Sequence, residues 1–108
     1  MNKKIMIELV DGILKIMEQQ VVRIILYGSV AKGTNTEESD VDIALLLKGS
    51  LDKDTEDKLS DLIVDMNLKY DKVFSVIDID IENFQKWEKV TPFYKNVTQE
   101  GIILWKAA

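Results

Sequence analysis

Two groups of residues stand close enough in this chain to do chemistry together. One is a Gly-Ser turn, Gly28-Ser29-Val30-Ala31-Lys32-Gly33-Thr34, and the other an acidic pair within Ser39-Asp40-Val41-Asp42. A Gly-Ser turn that opens a helix offers backbone N–H groups, a positive dipole end and a hydroxyl, all suited to phosphate. Gly28 serves there either because a Cβ would collide with bound phosphate or because the turn is tight. Asp40 and Asp42 alternate with Val41, so on a strand both carboxylates point to one face. Held side by side they repel, and a hard divalent cation, Mg²⁺ or Mn²⁺, relieves that repulsion by taking oxygen ligands. A phosphate site beside a metal site is the core of a nucleoside triphosphate site. Lys32 either reaches the triphosphate or is merely solvated. Ser39 either orients the first carboxylate or begins the strand.

The elements that must position these residues are legible around them. Val21-Val22-Arg23-Ile24-Ile25-Leu26-Tyr27 is an apolar, β-branched run that Gly28 ends, and Asp42 leads into a second such run, Ile43 to Leu47. Residues 2–19 carry Ile5, Leu9, Ile13 and Met17 at four-residue steps and read as an amphipathic helix. Leu59, Leu62, Ile63, Met66 and Tyr70 mark one face of a helix over 53–69, with Asp52 and Asp54 where negative charge favours its start. Val73 to Asp80 reads as a third strand, and Asp80 as the N-cap of a helix over 81–87. Thr91-Pro92 starts a last helix, with Thr91 as its cap, and Gly101 stops it. Ile102 to Trp105 is short enough for an edge strand. Trp87 and Trp105 are expected to make core or dimer contacts. The expected architecture is α/β (α+β): a mixed sheet of three to four strands with helices packed against it, residues 1–108 forming a single domain.

Composition narrows the partners. The net charge is −5, from fourteen scattered basic and nineteen acidic residues, whereas gripping a polynucleotide backbone needs clustered Lys and Arg. A long nucleic-acid substrate is therefore not expected. With neither cysteine nor histidine, thiolate and imidazole metal sites are excluded, and a cation here must be held by oxygen. No apolar run approaches the ~20 residues of a membrane span, and the N-terminus lacks a signal segment, so a cytoplasmic location is expected.

The motif Gly28-Ser29-x-Ala31-Lys32-Gly33-Thr34 followed by Ser39-Asp40-x-Asp42 resembles the signature of the polymerase-beta-like nucleotidyltransferases, and most of all their minimal (MNT) prokaryotic members. Nearby motifs do not fit. A Walker A loop needs Lys where Thr34 stands and Ser or Thr where Asn35 stands, and a dinucleotide fingerprint needs Gly where Val30 stands. The resemblance implies ATP or another nucleoside triphosphate as substrate. Gly28, Ser29, Lys32, Gly33 and Ser39 would bind nucleotide, and Asp40 and Asp42 would be both catalytic residues and metal ligands. It also implies a third carboxylate near the start of the third strand, where this chain has Val73, Phe74 and Ser75. Asp78 is then the candidate for completing the site. Alternation groups it with Phe74, Val76 and Asp80, however, and a register that turns Ser75 toward the cations leaves the triad incomplete, which is the arrangement expected here.

The function so implied is metal-dependent transfer of a nucleoside monophosphate, AMP from ATP, by in-line displacement of pyrophosphate. Because the chain ends after its last strand, the acceptor is expected to be bound by, or to be, another protein. By resemblance this is a HEPN-like partner in a toxin–antitoxin pair, with a homo-oligomer as the other option. The competing reading is a catalytically weakened module that binds nucleotide or partner and regulates by contact.

Overall fold

The computed structural model describes residues 3–34 and 40–108. Helix α1 (Lys3–Met17) packs its Ile5, Leu9, Ile13 and Met17 face inward, and gives way at Glu18–Gln20 to a 3₁₀ turn rather than continuing to residue 19. The Gln20 amide ties this turn to the carbonyls of Lys48 and Ser50 at 3.0 and 2.9 Å, which sets where the next strand begins. Strand β1 (Val21–Tyr27), the short helix α2 (Gly28–Lys32) and strand β2 (Val41–Leu47) follow. Helix α3 (Lys53–Tyr70) is capped by Asp52, whose carboxylate accepts from the Thr55 N–H at 2.8 Å. Strand β3 (Phe74–Asp80) leads directly into α4 (Ile81–Trp87), and Asp80 caps it by accepting from the Glu82 N–H. Helix α5 (Pro92–Glu100) and strand β4 (Ile102–Lys106) complete the chain. Thr91 does not cap α5 through its side chain as its residue type suggests; Pro92 supplies the start by its pre-set φ.

The sheet has the order β3-β2-β1-β4, with β1 antiparallel to both β2 and β4, and β3 parallel to β2. This is the mixed four-stranded sheet expected from the sequence, with β4 at an edge. Helices α1 and α3 cover one face, meeting Ile24, Leu26, Val41, Ile43, Leu45, Leu47 and Phe74. Helices α4 and α5 cover much of the other, where Phe84 and Val97 meet Ile25, Ala44, Leu46 and Ile79. β2 is buried on both faces, which is why Ile43 to Leu47 reads as unbroken apolar sequence rather than as alternation. Trp105 packs against the larger core, whereas Trp87 is exposed with the Lys86 ammonium 5.3 Å from its ring centre. Across the helical layer, the Glu8 carboxylate accepts from Tyr70 at 2.6 Å and pairs with Lys69 at 2.9 Å, joining α1 to α3. Among the described residues no helix is long and apolar enough to cross a membrane.

Candidate functional site

β1 ends where β2 begins because the two strands are antiparallel, and their register sets Tyr27 opposite Asp42. On the far side of β2, the parallel register sets Ser75 opposite Asp42. Cross-strand partners share a face, so Tyr27, Asp42 and Ser75 form one polar row across three strands. The next row inward, Ile25, Ala44 and Ile77, is apolar. The polar side chains therefore stop at one end of the sheet, on the face that α4 and α5 cover, where the chain turns from β1 into α2.

That turn and the acidic strand are built against each other. Gly28 has φ +76°, in the left-handed region, and a Cβ there would land on the Asp42 carboxylate. The close approach that requires glycine is thus already present within the chain, without any phosphate. Gly33 also has a positive φ, +75°, but a Cβ there would meet nothing within 4 Å, so its requirement is conformational alone. Gly33 ends α2 with its N–H on the Ser29 and Val30 carbonyls, and the Thr34 N–H bonds the Ser29 carbonyl at 3.0 Å. The Ser29 backbone holds the turn closed, while its half-buried hydroxyl has no partner among the described residues.

The electrostatics single out Asp42. Partial burial, and then the charge of Asp40, push its carboxyl above the ordinary range. Burial, and then the charge of Asp42, likewise raise the Tyr27 phenol, whose ring meets Phe93 edge-on at 5.4 Å. Asp40 is exposed, and neither carboxylate has an ion-pair partner among the described residues. Lys32, at the end of α2, pairs instead with Glu100 at the end of α5, at 2.9 Å. Two uncompensated carboxylates with oxygen-only chemistry fit a hard divalent cation. Ser39 lies outside the described residues.

Asp78 does not join them. Its register partner is Leu45, three residues beyond Asp42 along parallel strands and on the face toward α1 and α3. At about 3.3 Å per residue that is roughly 10 Å along the sheet, in addition to the change of face. Asp78 is exposed on the edge strand, and no three acidic side chains among the described residues converge as a metal site. Alternation and register thus place Asp78, the sequence's candidate for a third carboxylate, across the sheet from Asp42 rather than beside it.

The family model described as Polymerase beta, Nucleotidyltransferase matches residues 11–108. The chain belongs to that family. This nucleotidyltransferase is 36% identical over 107 residues to a Methanocaldococcus jannaschii protein named as a protein adenylyltransferase, covering 96% of this chain and 98% of that one. Among solved structures, it is similar in fold to a chain of the MntA-HepT toxin–antitoxin complex (TM-score 0.59, 18% identity, 98% of this chain and 74% of that one). It is also similar to a chain of a toxin–antitoxin crystal structure with AMP-PNP (TM-score 0.58, 22% identity, 90% and 73% covered). A chain from a complex of a tri-AMPylated Shewanella oneidensis HEPN toxin with MNT antitoxin gives TM-score 0.52 at 19% identity, with 94% and 71% covered.

Three residues beside this candidate site escape a sequence reading: Tyr27, Phe93 and Glu100. Tyr27 had a signal, since it alternates with Ile25 and immediately precedes Gly28. Phe93 and Glu100 reach the site only because α5 folds back over the end of β1, which no local pattern announces.

Proposed function

We propose that this nucleotidyltransferase transfers AMP from ATP to a hydroxyl of a partner protein, with Asp40 and Asp42 holding a divalent cation. The apposition of Gly28 and Asp42 carries the reading, because it brings the Gly-Ser turn directly against the acidic strand. The relative named as a protein adenylyltransferase supports AMP as the transferred group and protein as the acceptor class. A HEPN-type partner is supported by the toxin–antitoxin complexes that share the fold.

Within this reading the acceptor hydroxyl oxygen forms a bond to the α-phosphorus and gives up its proton to solvent, while the bond to the bridging oxygen breaks and pyrophosphate departs with the displaced electron pair. A bound Mg²⁺ or Mn²⁺ supplies charge neutralisation at the phosphates and orients them for in-line attack. Asp42 on β2 and Asp40 just before that strand would hold the cation. The Gly28 N–H and the free Ser29 hydroxyl receive the β- and γ-phosphate oxygens. Lys32, near the end of α2 and paired with Glu100, would exchange that exposed partner for phosphate when nucleotide enters.

One observation favours a second reading. Among the described residues no third acidic side chain joins Asp40 and Asp42, so a regulatory module that binds nucleotide and partner with slow turnover is the alternative. Incubating the protein with ATP labelled at the α-phosphate, Mg²⁺ and a co-encoded HEPN-type protein separates the two. Label on the partner, lost on chelation of the metal, is the expected outcome. Nucleotide binding without any covalent transfer would favour the regulatory module.

A further inference from the structure

The geometry points to Ser75 as a further residue of the cation site, an uncharged one that makes cation binding dependent on nucleotide. The inference rests on the reading that Asp40 and Asp42 hold the cation. Ser75 is the β3 residue in register with Asp42 and shares its face. It is half-buried, and its hydroxyl has no partner among the described residues. Its neighbours Phe74 and Val76 point the other way, into the core that α1 and α3 complete. Adjacent strands lie about 4.8 Å apart, close to the span that two oxygen ligands of one Mg²⁺, at about 2.1 Å each, can bridge. No other β3 side chain combines that register with that face, because Ile77 pairs with Ala44 in the apolar row and Asp78 lies across the sheet.

The chemistry follows from the charge. Asp40 and Asp42 bring two negative charges, and a serine hydroxyl in the third place adds an oxygen without adding another. Hard cations bind in proportion to ligand charge and number. Two carboxylates and a hydroxyl therefore hold a free cation weakly. A triphosphate brings several anionic oxygens of its own, so cation and nucleotide enter this site together, and the empty site stays free of metal at ordinary cation concentrations.

Calorimetric Mn²⁺ titrations with and without a non-hydrolysable ATP analogue test this on the wild type and four variants. Ser75→Asp should bind Mn²⁺ at least tenfold more tightly than wild type in the absence of nucleotide. A tenfold change corresponds to about 1.4 kcal/mol. Its melting temperature should also rise on adding Mn²⁺ by more than that of the wild type, because the third carboxylate repels the other two until the cation arrives. Ser75→Ala, which adds no charge and keeps the test alive if Ser75→Asp folds poorly, should weaken Mn²⁺ binding to the nucleotide-loaded protein about two- to tenfold, the worth of one neutral hydrogen bond. Asp78→Asn should titrate like wild type. Unchanged Mn²⁺ affinity in both Ser75 variants, while Asp42→Asn abolishes binding, would overturn the role of Ser75 and leave the acidic pair standing. Mn²⁺ and nucleotide binding that survives Asp42→Asn would overturn the underlying reading instead.

Discussion

Gly28 and Asp42 occupy each other's space: the carboxylate lies where a Cβ on residue 28 would be. Gly28→Ala therefore faces two costs, a left-handed backbone worth about 1–2 kcal/mol for a residue with a Cβ and displacement of the carboxylate. Urea denaturation should show a loss of at least that size. Cation-dependent nucleotide binding should fall as well, since Asp42 must rotate away. A variant that keeps full stability would show that the turn relaxes freely.

Asp42 is held ionised at the expense of stability, by partial burial and the charge of Asp40. Its folded carboxyl titrates above its unfolded value, so between the two values the folded state binds more protons than the unfolded one. Stability then falls as pH rises through that window and stays reduced above the folded value. Asp42→Asn removes the penalty and should raise the melting temperature at pH 7, with the advantage vanishing below the ordinary carboxylate range. The same variant should lose cation-dependent ATP affinity. A thermal shift series from pH 3 to 8 beside an ATP titration checks both halves.

Ser29 contributes to the fold through its carbonyl, not its hydroxyl. Ser29→Ala should leave the melting temperature within error. Triphosphate affinity should drop roughly ten- to a hundredfold, because a hydrogen bond to a charged group is worth about 1.5–3 kcal/mol. A drop in melting temperature with affinity intact would make the hydroxyl structural.

The Lys32–Glu100 pair is exposed on both sides, and such pairs contribute about 0–1 kcal/mol. Glu100→Gln should scarcely change stability, yet it should tighten ATP binding by freeing Lys32, whereas Lys32→Ala should weaken it. Equal ATP affinity in both variants would leave Lys32 a surface residue.

Glu8 provides a test of the helical layer away from the site. Its carboxyl is held below the ordinary range, first by the Tyr70 hydroxyl and then by the Lys69 ammonium, and both partners are raised in return. A depressed carboxyl stabilises above its unfolded value and ceases to do so as pH falls through the folded one. Glu8→Gln should thus lower the melting temperature at pH 7, and the difference should close in acid.

What the sequence by itself determined was everything written in local pattern. The β-branched runs around Gly28 and after Asp42, the amphipathic faces of α1 and α3, the Asp52 and Asp80 caps and the Gly101 stop all depend on interactions within a few residues. Period and capping chemistry are carried by neighbours in the chain, so they can be read there. The acidic pair and the Gly-Ser turn were legible for the same reason. Tertiary structure alone decided which distant residues meet them. Alternation told that Asp78 and Ser75 occupy opposite faces, but the register between β2 and β3 was needed to set Ser75 beside Asp42 and Asp78 beside Leu45. Register arises from how Phe74 and Val76 fill the core under α1 and α3, a long-range packing outcome with no local signature. Folding α5 back over β1 likewise brought Glu100 to Lys32 and Phe93 to Tyr27, contacts between segments that the chain separates by most of its length.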